Sequence, residues 1–326
     1  MARVVETTVR CAVDARVVRC APVCRAHVMM ELMLPTFPAS EPGQFVQLLC
    51  SDGRAAEPAT REWFADGFPS ISDEEFAGPR PFLRRPFSIA DRWTAPDGSA
   101  HLCVLSRTVG VGTRWLERLQ PGDILNLTGP LGRGFRLPPP NVALVLVGGG
   151  VGIPPFLYLA RRLHELGRQD VTAIFGVTTR ALLPLRLLDE PAADGTPQAC
   201  IELPGPARFP AIVTADDGTM GLRGVVTDAL RAWQSRRVNG KTPPMVLACG
   251  PVAMLRAVAR LTAQLGLQCQ LCVERNMGCG IGACLSCVVR VRDAQREAGW
   301  RWALACVDGP VFPRDELLDY SGEAGT

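Results

Sequence analysis

Histidine and tyrosine are nearly missing from this 326-residue chain: His27, His101 and His164 are its three imidazoles, and there are two tyrosines. So few imidazoles leave little room for a mechanism built on histidine acid–base chemistry. Two tyrosines and twelve phenylalanines form no base-stacking pattern. Charge of one sign is also scarce. The net charge is +3, and no block of like charges occurs, so nucleic-acid binding has no electrostatic footprint. Long apolar runs are absent too. The longest, Val142 to Val147, has six residues and ends in three glycines. A membrane-spanning helix needs about 20. The opening residues, MARVVETTVR, lack the apolar stretch of a signal peptide. These absences predict a cytoplasmic protein without nucleic-acid or membrane partners.

What is present is ordinary globular material, 47% hydrophobic and 21% charged. The length allows two or three domains, each with its own core. Thirteen cysteines are many, and the number is odd. Disulfides are rare in the cytosol, so clustered cysteines there favour metal or redox chemistry.

Three textures follow one another. Residues 1–138 hold short β-rich runs (RVVRCAPV, HVMMELML, GQFVQLLC, HLCVLSRTV, DILNLTG) separated by PGQ, PDG and PGD turns. Many short strands with such punctuation predict an antiparallel barrel or sandwich. A polar, acidic stretch at 51–80 reads as an insertion loop. LPPP at 137–140 reads as a linker, since consecutive prolines neither join a ladder nor continue a helix. Residues 139–266 alternate strands with helices, which predicts a parallel sheet covered on both faces. Residues 267–326 form a cysteine-rich tail.

That tail carries MGCGIGACLSC at 277–287. Cys279, Cys284, Cys287 and Cys306 are spaced C-x4-C-x2-C, then eighteen residues, then C. This is the plant-type [2Fe–2S] spacing. Gly280 and Gly282 permit a tight loop whose N–H groups can point at sulfur. A structural zinc site is the alternative, but such sites usually show two separated C-x2–4-C knuckles. The remaining cysteines are scattered singly and read as small buried hydrophobes.

Upstream lie several weaker signals. Arg85, Pro86, Phe87 and Ser88 (RPFS) end a strand-like run, where an arginine could pair with a pyrophosphate. Gly112 and Thr113 (GVGT) open a short helix, a phosphate-binding position. GPLG at 129–132 is a third glycine turn. Gly148, Gly150 and Gly152 (GGGVGIPP) follow a buried strand and open a helix, where a dinucleotide phosphate would sit, although the pattern is not a clean G-x-G-x-x-G. Cys249 and Gly250 (ACGP) repeat that arrangement. TADDGTMG at 214–221 is either a solvated Asp-Gly turn or a carboxylate, Asp216 or Asp217, facing the nucleotide's sugars. Each motif alone has a bland account as a turn or a buried small residue.

In this order the motifs RPFS, GVGT, GPLG, GGGVGIPP and ACGP resemble the ferredoxin–NADP+ reductase superfamily. VERNMGCGIGACLSC and ACVDGPVF narrow the resemblance to electron transfer subunits of dihydroorotate dehydrogenase B. It covers nearly the whole chain except 51–80. The resemblance implies an antiparallel Greek-key FAD-binding barrel, then an NAD-binding α/β domain, then a small [2Fe–2S] domain. It places Arg85 on the FAD pyrophosphate and Ser88 near the flavin ring. Gly112 and Thr113 then meet FAD phosphate, Cys249 and Gly250 the nicotinamide, and Asp217 joins the nucleotide set. Phe87 stands where the superfamily often has tyrosine. The implied partner is an FMN-containing catalytic subunit oxidising dihydroorotate for pyrimidine biosynthesis, in a two-plus-two heterotetramer. Electrons would pass from FMN through the cluster and FAD to NAD+. No catalytic base is expected of this chain. Arg180 keeps NADP open. The alternatives are an NAD(P)H:ferredoxin or sulfhydrogenase-type reductase subunit, and a zinc-bearing nucleotide sensor.

Overall fold

The computed structural model describes residues 10–51, 84–237 and 242–320. From residue 52 onward, the expected insertion at 51–80 lies outside them.

Six strands close into an antiparallel barrel: β1 (Cys11–Cys24), β2 (His27–Leu34), β3 (Phe45–Leu48), β4 (Arg85–Thr94), β5 (Ala100–Arg107) and β6 (Ile124–Leu131). Their order around the barrel is β1-β2-β5-β4-β3-β6. Closure leaves no unpaired edge. The sequence of β2 explains its place. Val28, Met30, Leu32 and Leu34 recur at every second position and are buried, the period of a strand with one face in a core. A short helix, α1 (Val111–Leu116), follows β5.

The second layer system is a seven-stranded sheet. It contains β7 (Leu144–Gly149), β8 (Val171–Val177), β9 (Ala211–Ala215), β10 (Leu222–Arg223), β11 (Met245–Cys249), β12 (Gln268–Cys272) and β15 (Val311–Pro313). The order is β10-β9-β8-β7-β11-β12-β15. All pairs are parallel except β12 with β15. Every residue of β7 is buried, as expected of a strand covered on both faces. On one face Leu144, Leu146 and Phe175 share a core with Phe156 and Leu163 of α2 (Pro154–Glu165). On the other, Val145 and Val147 pack with Leu230 of α3 (Val226–Ser235) and Leu255 of α4 (Val252–Gln264).

The sheet runs past the boundary expected at 266. β12 lies beyond it, yet pairs residue for residue with β11. After the cysteine loop and the hairpin β13–β14 (Val288–Arg292 and Trp300–Leu304), the chain returns as β15 to the sheet's edge. The cysteine-rich unit is therefore built into the sheet rather than appended to it. No helix among the described residues is long and apolar enough to cross a membrane.

Candidate cofactor and cluster sites

β4 holds Arg85 to Ser88 in antiparallel register with β3: Arg85 faces Leu48, Pro86 faces Gln47, Phe87 faces Val46 and Ser88 faces Phe45. Arg85 and the Gly112 turn come together. A Cβ added to Gly112 would lie 3.5 Å from Arg85 Cγ and 3.4 Å from Cys50 Sγ. A guanidinium beside the start of a helix suits a pyrophosphate. The adjacent Arg84 is held differently: it donates to Asn126 Oδ1 and to the Asn126 and Gln47 carbonyls. Phe87 leans on the barrel core. The Thr113 hydroxyl is engaged within its own turn. It donates to the Gly110 carbonyl at 3.0 Å and accepts from the Val109 and Gly110 amides at 2.9 and 3.0 Å. With its proton engaged in the turn, the hydroxyl is a turn former, and the backbone N–H groups are left for phosphate.

The two nucleotide turns meet at the carboxyl ends of β7 and β11. Cys249 and Gly148 are register partners. A Cβ on Gly152 would lie 2.2 Å from the Cys249 carbonyl oxygen and 2.4 Å from the Gly250 nitrogen. Gly152 is thus required for close approach of the two turns. Gly150 has φ +51°, and no described atom lies within 4 Å of where its Cβ would be, so it faces open space. That division of labour, one glycine for packing and one for an open left-handed turn, is what a phosphate cradle at a switch point needs.

Asp217 follows β9. Its Oδ1 accepts from the Thr219 amide at 3.0 Å and hydroxyl at 2.7 Å. The hydroxyl bond, then the amide bond, hold this carboxyl below the usual range. Oδ1 of Asp217 is thus engaged within its own turn, just after the carboxyl end of β9. Arg180, the residue that kept NADP open, is ion-paired with Glu190 at 2.7 Å.

Cys249 has a neighbour that the sequence did not single out. Cys272 is its register partner on β12. The Cys272 contact and then burial raise the Cys249 thiol well above its ordinary range, so it stays a protonated thiol at neutral pH.

The cluster cysteines converge as two pairs. Cys279 and Cys284 lie together on the outer side, and Cys287 and Cys306 lie together in the interior. Among the described residues, no three side chains of ligand type surround a single point. Each iron of a [2Fe–2S] cluster takes two protein ligands, and the C-x4-C-x2-C…C spacing supplies four. Three amides, of Ile281, Ala283 and Cys284, donate to Cys279 Sγ at 3.4, 3.2 and 3.3 Å. The loop reaches this shape through Gly280 (φ +71°), Gly282 (φ +91°) and Leu285 (φ +59°). The Ser286 hydroxyl, 3.2 Å from Cys284 Sγ, lowers that thiol to about 6, with help from the Ser286 amide. Burial, then the Cys287 thiol, pushes Cys306 up to about 12. Cys284 is thus readily deprotonated, while Cys287 and Cys306 are sheltered from solvent.

Gln47 was also missed by sequence reading, although a polar residue inside the apolar run FVQL was a signal. A Cβ on Gly280 would lie 2.7 Å from Gln47 Nε2, so the cluster loop rests on β3, the strand next to β4. A wide cleft elsewhere, lined by Cys11, Pro38, Arg133, Met245 and Gln268, shares no residue with the expected set. It opens at the amino ends of β11 and β12, and Gly132 of the GPLG turn lines it.

Comparison with known proteins follows the same lines. Residues 274–318 match the iron-sulfur cluster binding domain of dihydroorotate dehydrogenase B. A solved NADH-dependent reduced ferredoxin-NADP oxidoreductase resembles the chain with a TM-score of 0.66 and 25% identity, covering 95% of this chain and 93% of that one. The dihydroorotate dehydrogenase B (NAD+) electron transfer subunit of Desulforamulus reducens is 32% identical over 238 residues, 73% of this chain and 81% of that protein. The subunit of the same description from Bacillus velezensis is 34% identical over 282 residues, 85% of this chain and 87% of that protein. The chain belongs to the family of dihydroorotate dehydrogenase B (NAD+) electron transfer subunits.

Proposed function

We propose that the chain carries electrons between an FMN-containing catalytic subunit, which oxidises dihydroorotate, and NAD+. The observation that carries this reading is the contact of the cysteine loop with β3, beside the RPFS strand. It brings the thiol pairs next to the barrel strand that suits a flavin. When bound, FAD exchanges a hydride with nicotinamide and single electrons with a [2Fe–2S] cluster.

The chain's own residues bind, orient and shield. Arg85, with the first-turn amides at Gly112 and Thr113, holds a pyrophosphate. Pro86 to Ser88 border the flavin ring, with the Ser88 hydroxyl as donor. Gly148, Gly150 and Gly152 shape the dinucleotide turn, and Cys249 and Gly250, which meet that turn, would border the nicotinamide. Asp217 stays engaged in its own turn after β9. Cys279, Cys284, Cys287 and Cys306 hold the cluster. The Arg180–Glu190 pair favours NAD over NADP, because a guanidinium already paired is a poor receptor for a 2′-phosphate.

The test is a Cys306→Ser variant assembled with the catalytic subunit. Dihydroorotate-dependent NAD+ reduction is expected to be lost, while NADH-driven dye reduction by the flavin persists. Turnover of dihydroorotate by the isolated chain would overturn the assignment.

A further inference from the structure

Gln47 is an amide among apolar neighbours. Phe45, Val46 and Leu48 on the same strand are buried hydrophobics. Gln47 is itself 0% exposed, and neither Oε1 nor Nε2 has a hydrogen-bond partner among the described residues. Buried side-chain amides in native proteins are nearly always hydrogen-bonded, so an orphan points to a bound group.

Two neighbours fix where this amide lies. Pro86 of the RPFS strand is its register partner on β4. Gly280 of the cysteine loop lies against it, since an added Cβ there would come 2.7 Å from Nε2 and 2.9 Å from Cγ. Gly280 directly follows Cys279. The amide thus stands between the strand that suits the flavin and the loop that carries the first cluster thiol.

We propose that Gln47 is a positioning residue for the cluster: its Nε2 donates a hydrogen bond toward the sulfurs on the Cys279 side and raises the cluster's reduction potential. This rests on the [2Fe–2S] reading above. Reduction adds negative charge to the cluster, and donors aimed at sulfur stabilise it. Three backbone amides already serve Cys279 Sγ. Gln47 adds a side-chain donor from the barrel, inside a dry interface where a hydrogen bond is electrostatically stronger. It also explains the glycine at 280, because any side chain there would push the amide away.

The test uses the full chain, purified with its cluster and flavin, and two variants of similar volume. Gln47→Met removes the donor, and Gln47→Glu replaces it with an acceptor. The readout is a potentiometric titration of the electron paramagnetic resonance signal of the reduced cluster, with flavin bands followed in parallel. Both variants are expected to keep wild-type iron and acid-labile sulfide content. The cluster midpoint moves negative in both, further in Gln47→Glu, while the flavin midpoint stays in place. An unmoved cluster midpoint overturns the proposal. A shift confined to the flavin also overturns it, by giving the amide to the ring. Loss of iron from both variants, with an unshifted remainder, overturns it in favour of a packing role. An iron-free wild-type chain would overturn the cluster reading and this proposal together.

Discussion

Gly152 governs its site by what it lacks. Any Cβ there meets the Cys249–Gly250 backbone at 2.2–2.4 Å, and backbone cannot swing aside as a side chain can. Gly152→Ala is expected to cost about 3 kcal/mol and to weaken NADH binding, read by denaturant unfolding and by KM for NADH. His27 offers a pH test. It is 2% exposed; burial lowers its pKa from 6.5, Arg107 adds to this, and a bond to the Arg25 carbonyl opposes it. A depressed imidazole means that the unfolded chain takes up the proton first. Stability therefore falls as pH drops through 6.5 toward the lower folded value, and His27 contributes no slope above that window. Denaturation midpoints between about pH 8 and about pH 5 should fall less in His27→Gln than in the parent chain. At this scale the cluster cysteines and the glycine turns were legible, because their information is local spacing. Gln47 and Cys272 were missed because their importance arises only from what another segment sets beside them.

At the level of elements, strand alternation in β2 and the all-apolar run of β7 were plain in the sequence. β15 was not. Three residues, VFP, have no period to detect, and only pairing with β12 makes them a strand. Phe312 shows what that pairing does: it is 3% exposed and joins the same core as α3, α4, Cys287 and Cys306. Phe312→Ala should cost roughly 3–5 kcal/mol. Because the cysteine unit and the sheet share this core, far-ultraviolet dichroism and cluster absorbance should still be lost at one temperature, now lower. Separate transitions would mean that the unit folds independently.

Across the whole molecule, α2 joins barrel and sheet. Arg161 clasps Asp91 of β4 through two 2.6 Å bonds, its guanidinium lies 5.6 Å from the Trp93 ring centroid, and Tyr158 donates to the Ser40 carbonyl at 2.7 Å. Seventy residues separate Arg161 from Asp91, so no local pattern could have announced the pair. Asp91→Asn keeps the shape and removes one charge of a largely buried pair. It should cost about 2–3 kcal/mol. Since this joint sets the spacing between the RPFS strand and the glycine turns, NADH-driven dye reduction should slow more than NADH binding weakens. Stopped-flow flavin reduction beside a binding titration checks this.

The return of β15 to the sheet also bears on how the protein is made. The strand that covers the β12 edge is translated after the cysteine loop and after the hairpin. Until then the ribosome holds a chain whose nucleotide sheet has a bare edge, the kind of surface on which chains aggregate. Truncation before Val311 should therefore leave the sheet edge bare and lower the soluble fraction of the expressed chain.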